Sequence, residues 1–106
     1  MTYKVLIADQ AYRDLRAIFE YIAYELRSID TARNLIESLE ENISSLNFMP
    51  YRFAKYHIES AKDKDIRALP LGNYLILYMS KEEDLTVNII RVIYSGRDIE
   101  TVLNEI

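Results

Sequence analysis

The stretch IRALPLGNYLILYMSKEEDLTVNIIRVIY (residues 66–94) decides the fold class. It holds three β-prone runs separated by turn chemistry. Ile66 to Leu69 is the first, stopped by Pro70. Proline has no N–H to give to a ladder, so this run belongs at a sheet edge. Leu71-Gly72-Asn73 makes the turn. Tyr74 to Ser80 is apolar at both parities, the pattern of a central strand. Lys81-Glu82-Glu83-Asp84 is a charged hairpin loop, and Leu85 to Tyr94 is the last and longest strand. Together they predict a three-stranded antiparallel meander.

Upstream, the period changes from two to about 3.6. Tyr12, Leu15, Phe19, Ile22 and Leu26, with Ile18 and Ala23 beside them, form one face of a long helix. Arg13, Asp14, Arg16 and Glu20 fall between them, as on a solvent face, and Asp9 is placed to cap the start. Ser28-Ile29-Asp30-Thr31 interrupts the pattern with capping side chains. A second helix follows from Thr31 to Leu46 on the stripe Ala32, Leu35, Ile36, Leu39, Ile43 and Leu46, and it ends before Pro50. So short a connection predicts an antiparallel helix hairpin. Tyr3 to Ile7 reads as an N-terminal strand, residues 51–65 as a loop with aromatic anchors, and Ile99 to Glu105 as a short helix. The order is strand, helix, helix, strand, strand, strand. This is an α+β architecture in one domain, residues 1–106, with the helices packed on one face of the sheet and the other face partly open.

The chain has 106 residues, half of them apolar, with two Gly, two Pro, no Cys and one His. Such a composition suits one packed core and not a linker or a disordered segment. Without Cys there is no disulfide and no thiolate chemistry. A lone histidine, His57, does not make a zinc site, and Asp63 and Asp65 flank Lys64 in a solvated charge run. The sequence implies no metal and no cofactor, and it contains no phosphate loop or serine-nucleophile motif. The first apolar run is too short for a signal peptide, and no window suits a membrane span. These features suggest a cytoplasmic protein that does not engage membranes. The net charge is −4. Only residues 49–79 are mildly basic, with Arg52, Lys55, Lys62, Lys64 and Arg67 among them. Phosphate-gripping proteins are usually basic, so strong direct nucleic-acid binding is not expected.

Several residues admit both a structural and a functional reading. Arg91 shares parity with Leu85, Val87, Ile89 and Ile93. It either lays its stem on the sheet with its head in water, or offers its guanidinium fork to a phosphate or to a carboxylate on the target. Tyr94, on the other parity with Ile90 and Val92, is either a core-rim residue or a proton-transfer group. Arg97 beside Asp98 is either half of a local ion pair or a partner contact. Arg67 is either a charged guard on an edge strand or part of the basic stretch. Glu37, Glu40 and Glu41 read as a solvent face. The nine tyrosines suit an interface.

Four segments resemble the RelE/ParE-type toxins of type II toxin–antitoxin systems, closer to the ParE branch. Ala11 to Ala23 resembles their first helix, where alanine-x-x-aspartate-leucine leads into isoleucine-phenylalanine-x-tyrosine-isoleucine. Ile43 to Pro50 resembles the end of the second helix. Arg67 to Tyr78 resembles the hairpin with arginine-x-leucine, glycine-x-tyrosine and a further tyrosine. Ile89 to Asp98 resembles the last strand, where arginine-valine-x-histidine leads into arginine-aspartate. The resemblance spans roughly residues 3 to 99. It implies the RelE/ParE fold, a cognate antitoxin as partner in a hetero-oligomer, and either DNA gyrase or the ribosome as target. It also implies contact roles for Arg67, Tyr78, Arg91, Tyr94 and Arg97. Tyr94 stands where the family's last strand carries histidine, and Leu75 where the central strand often carries arginine. The first reading is therefore a ParE-like toxin that binds gyrase without chemistry of its own. The second is a RelE-like ribosome-dependent endoribonuclease, with Arg67, Arg91, Tyr94 and Arg97 as its catalytic set. The third is a non-toxic binding module.

Overall fold

The computed structural model describes residues 2–56 and 64–96. Four strands form one sheet: β1 (Lys4–Ile7), β2 (Arg67–Leu71), β3 (Tyr74–Lys81) and β4 (Thr86–Tyr94). Their spatial order is β1-β4-β3-β2. β2, β3 and β4 are the antiparallel meander expected from residues 66–94, and β1 adds parallel to β4. Proline-bearing β2 lies at an edge and doubly apolar β3 is central, because Pro70 has no N–H to donate.

Two helices separate β1 from the meander. α1 (Asp9–Glu20) continues as a π-helical turn over Tyr21–Glu25, and α2 (Ile29–Ser44) folds back against both. The helix-facing core joins Ala11 and Leu15 of α1 and Leu39 and Ile43 of α2 to Leu69, Ile76, Tyr78, Val87, Ile89 and Val92 of the sheet. The second face is less open than expected, since Ile66, Ala68, Leu77 and Ile93 form a buried cluster there. The expected helix at residues 99–105 lies outside the described residues.

The helix expectations need four corrections. Tyr12 and Leu26 are exposed, while Ala11, at 0%, carries the first turn of the buried stripe. Small Ala11 lets the helix approach the sheet, and the stripe is rotated accordingly. Asp14 is not on the solvent face, as described below. Asp9 does not cap α1. It is the first helical residue, after Ala8, and acts only as a favourable charge at the positive end of the helix. Ser28 holds the N-cap position of α2 but bonds Thr31 Oγ1 instead of a backbone N–H.

The first helix ends in a left-handed residue. Leu26 N–H bonds Tyr21 O and Ser28 N–H bonds Ile22 O, with Arg27 between them at φ +54°. A side chain in this region is strained, and glycine is the usual occupant. Arg27→Gly is expected to stabilise the fold by about 0.5–1 kcal/mol, seen as a higher urea midpoint with an unchanged slope. A lower midpoint would mean that the arginine side chain contributes contacts outweighing the backbone strain.

Candidate functional site

β1 is four residues long, and its pairing with β4 ends at Ile7 opposite Ile89. Ala8 N–H bonds Ile89 O, and the chain then leaves the sheet as α1. The remainder of β4 thus has β3 on one side and no strand on the other. Asp14, in the second turn of α1, fills that gap. Its carboxylate accepts the backbone N–H of Val92 at 3.0 Å, together with Arg91 Nε at 2.7 Å and Arg91 Nη2 at 3.0 Å. The side chains of Arg91 and Asp14 are 4% and 11% exposed, so this is a buried, fork-geometry ion pair.

A β-bulge sets the direction of the residues concerned. Tyr78 pairs with Ile89 but Leu77 pairs with Arg91, leaving Ile90 as an extra residue on β4. The alternation flips there. Val87 and Ile89 face the helices, and after the bulge so does Val92, while Ile93 joins the cluster on the second face. The single parity assigned to Val87, Ile89, Arg91 and Ile93 from the sequence is therefore corrected. Neither reading of Arg91 anticipated its partner, since its head meets a carboxylate of the same chain.

Beside this ion pair lies a groove of about 540 Å³ lined by Asp14, Ala17, Ile18, Tyr21, Tyr74, Val92, Ile93 and Tyr94. α1 supplies one wall through positions 14, 17 and 18, and the π-helical turn opens with Tyr21. Such turns recur at functional sites because they re-aim side chains. The ends of β3 and β4 supply the other wall, where Tyr74 and Tyr94 are paired in register. Their rings meet edge to face, with centroids 5.9 Å apart at 71°. A Cβ at Gly96 would lie 2.9 Å from Tyr94 Cε1, so a larger residue there would make the ring shift. Burial, then the neighbouring phenols Tyr94 and Tyr21, raise the pKa of Tyr74 above 10.0. Tyr94 is half exposed, and Tyr21 is similarly open.

Arg67 and Tyr78 lie apart from this groove. Arg67 donates to Tyr51 O at 3.1 Å and Phe53 O at 2.6 Å, and its Nε is buried without a partner. It thus pins the loop that precedes β2. Tyr78 is 0% exposed, and its hydroxyl donates to Pro50 O. A contact role needs accessible surface, so the expectation for Tyr78 is corrected: it is an internal tie. Burial raises its pKa above 10.0. Arg97 and His57 lie outside the described residues. Of the basic stretch, Arg52 is spent on Ser45 O and Phe48 O at the end of the second helix, and Lys55 pairs with Asp65 at 3.5 Å. Among the described residues there is no group of His, Cys, Asp or Glu able to hold a metal. The groove offers aromatic faces, phenolic hydroxyls and one ion-paired carboxylate. That set suits binding better than proton transfer.

Sequence reasoning missed Asp14, Tyr21 and Tyr74 as groove residues. The signal was present, because each is a defining letter of the segments that carry the resemblance: alanine-x-x-aspartate, phenylalanine-x-tyrosine and glycine-x-tyrosine.

The model of the ParE toxin family of type II toxin–antitoxin systems matches residues 5–99. Among curated proteins, none matches the sequence. Solved structures share the fold. A chain of the chromosomal ParDE toxin–antitoxin system from P. aeruginosa is 18% identical with a TM-score of 0.72, over 88% of this chain and 96% of its own. A chain of a RelBE toxin–antitoxin complex from Mycobacterium tuberculosis is 23% identical with a TM-score of 0.66, over 89% and 99%. A mutant of the E. coli toxin RelE in the free state is 15% identical with a TM-score of 0.66, over 100% and 99%.

Two outcomes follow from the buried groups. Asp14→Ala strands a guanidinium and an N–H and is expected to cost about 3–5 kcal/mol in urea unfolding. The pair Asp14→Leu with Arg91→Met should recover much of that loss, and no recovery would show that the ion pair is not the source. Tyr78 and Tyr74 ionise less readily folded than unfolded. Above pH 10 the unfolded chain sheds protons that the folded one keeps, so stability falls as pH rises further. Tyr78→Phe should flatten that alkaline decline, measured as unfolding midpoint against pH, while lowering stability at neutral pH by about 1–2 kcal/mol through the abandoned Pro50 carbonyl.

Proposed function

The chain belongs to the ParE toxin family of type II toxin–antitoxin systems, and from that membership we propose that it inhibits growth by binding a protein target, DNA gyrase, and is neutralised by a cognate antitoxin. The observation that carries this reading is the fate of the arginines. Arg91 is held by Asp14, and Arg67 is spent on two loop carbonyls. A phosphodiester-cleaving site needs cations aimed at the reacting phosphate. Of the three arginines expected to serve, Arg67 and Arg91 are engaged inside the fold, and Arg97 lies outside the described residues. The acidic net charge also disfavours steering toward ribosomal RNA. Toxin–antitoxin complexes among the solved relatives support a cognate antitoxin for this chain.

The ribosome-dependent endoribonuclease is retained as the second reading on one observation. Tyr94 is a half-exposed phenol at the position where the resembling family carries histidine. A tyrosine with an ordinary pKa of about 10 is a weak acid–base catalyst unless cations lower it. No part of the first reading requires chemistry by this chain.

Purified protein is expected to inhibit DNA supercoiling by gyrase, and the protein encoded beside it should relieve that inhibition at equimolar ratio. Full supercoiling activity, with codon-internal cuts in translated messages seen by primer extension, would replace the first reading with the second.

A further inference from the structure

The groove between α1 and the ends of β3 and β4 has an electrostatic character that narrows what can occupy it. Three aromatic residues line it, Tyr21, Tyr74 and Tyr94, and their ring faces carry partial negative charge. The charged residue among the described lining is Asp14. Its cation partner Arg91 is the more deeply buried of the two and does not line the groove. The groove thus shows a cation the faces of the rings and the phenolic oxygens, beside a carboxylate whose charge Arg91 already balances. Ala17, Ile18, Val92 and Ile93 add apolar floor. The net charge of −4 acts in the same direction at longer range.

We propose that this groove receives an arginine side chain of the antitoxin's toxin-binding segment, with flanking apolar side chains on Ala17 and Ile18. Arginine suits it better than lysine, because a planar guanidinium stacks on tyrosine faces and donates in-plane to phenolic oxygens. The edge-to-face packing of Tyr74 and Tyr94 orients these two rings before any partner arrives. The partner therefore loses little free energy to ordering the site. The inference rests on the reading that a cognate antitoxin exists, and it adds the chemistry of the recognition.

The test titrates the full chain with the peptide N-acetyl-Leu-Arg-Leu-amide and with its counterpart carrying citrulline, which keeps the shape and removes the charge. Tyrosine ring resonances report binding. The arginine peptide should shift the rings of Tyr21, Tyr74 and Tyr94 and bind roughly fivefold more tightly than the citrulline peptide. Tyr94→Leu and Tyr21→Leu, both at exposed positions, should each reduce that preference while the rest of the spectrum stays dispersed. Equal binding of the two peptides overturns the inference. So does a stronger shift of the same rings by adenosine monophosphate, which would mark a base-stacking surface instead. The protein encoded beside this chain is titrated in parallel. If it binds and the rings do not move, the groove inference falls and the antitoxin reading stands. If it does not bind, the antitoxin reading falls, and the groove's preference for arginine is still decided by the peptides.

Discussion

One carboxylate organises the functional end of this fold. β1 stops at Ile7, and the sheet beyond Ile89 would otherwise present an unfinished edge. Asp14 takes up the Val92 N–H that a longer β1 would have accepted, and it takes the Arg91 fork with it. A buried ion pair of this kind adds little net stability over an apolar replacement, because desolvation offsets most of the attraction. Its value is positional. It fixes the rotation of α1 over the sheet, and Tyr21 lies seven residues further along, on the same helical face. The groove therefore inherits its geometry from the same contact.

The meander was legible because its signals are local. Pro70 excludes a central strand for β2, and the doubly apolar run of β3 needs cover on both sides. The parallel placement of β1 against β4 was not legible, since it depends on where the helix pair returns the chain. The bulge at Ile90 was invisible for a related reason. A period-two reading assumes unbroken alternation, and one inserted residue transfers Arg91 and Ile93 to the other face. The rotation of the α1 stripe had the same cause on the helical side. Tyr12 looks like a core residue by hydropathy, but Ala11 allows the close approach that the packing uses.

Of the candidate site, residue types were legible and partnerships were not. Arg67, Tyr78 and Arg91 were singled out from the sequence as contact residues, and the structure gives each of them a partner within the fold. Their work is internal: a loop pinned, a carbonyl satisfied, a strand edge closed. A polar side chain in a strand looks the same from sequence whether its partner is a target or a neighbouring helix, because the partner is distant in the chain. Asp14 and Arg91 are 77 residues apart. The charged pattern of α1 hid Asp14 among solvent-facing neighbours for this reason.

This division bears on how the family motif letters should be understood in this chain. Asp14, Tyr21, Tyr74 and Arg91 come from three segments that are remote in sequence, and they meet at one end of the molecule. Asp14 and Arg91 build the junction between helix and sheet, and Asp14, Tyr21 and Tyr74 line the groove beside it. A catalytic end would instead need an available cation and a group that titrates near neutrality. The described residues there include three phenols beside a carboxylate already engaged by Arg91. The motif letters thus encode the junction of helix and sheet together with the aromatic groove beside it, and Tyr94 completes the wall of that groove.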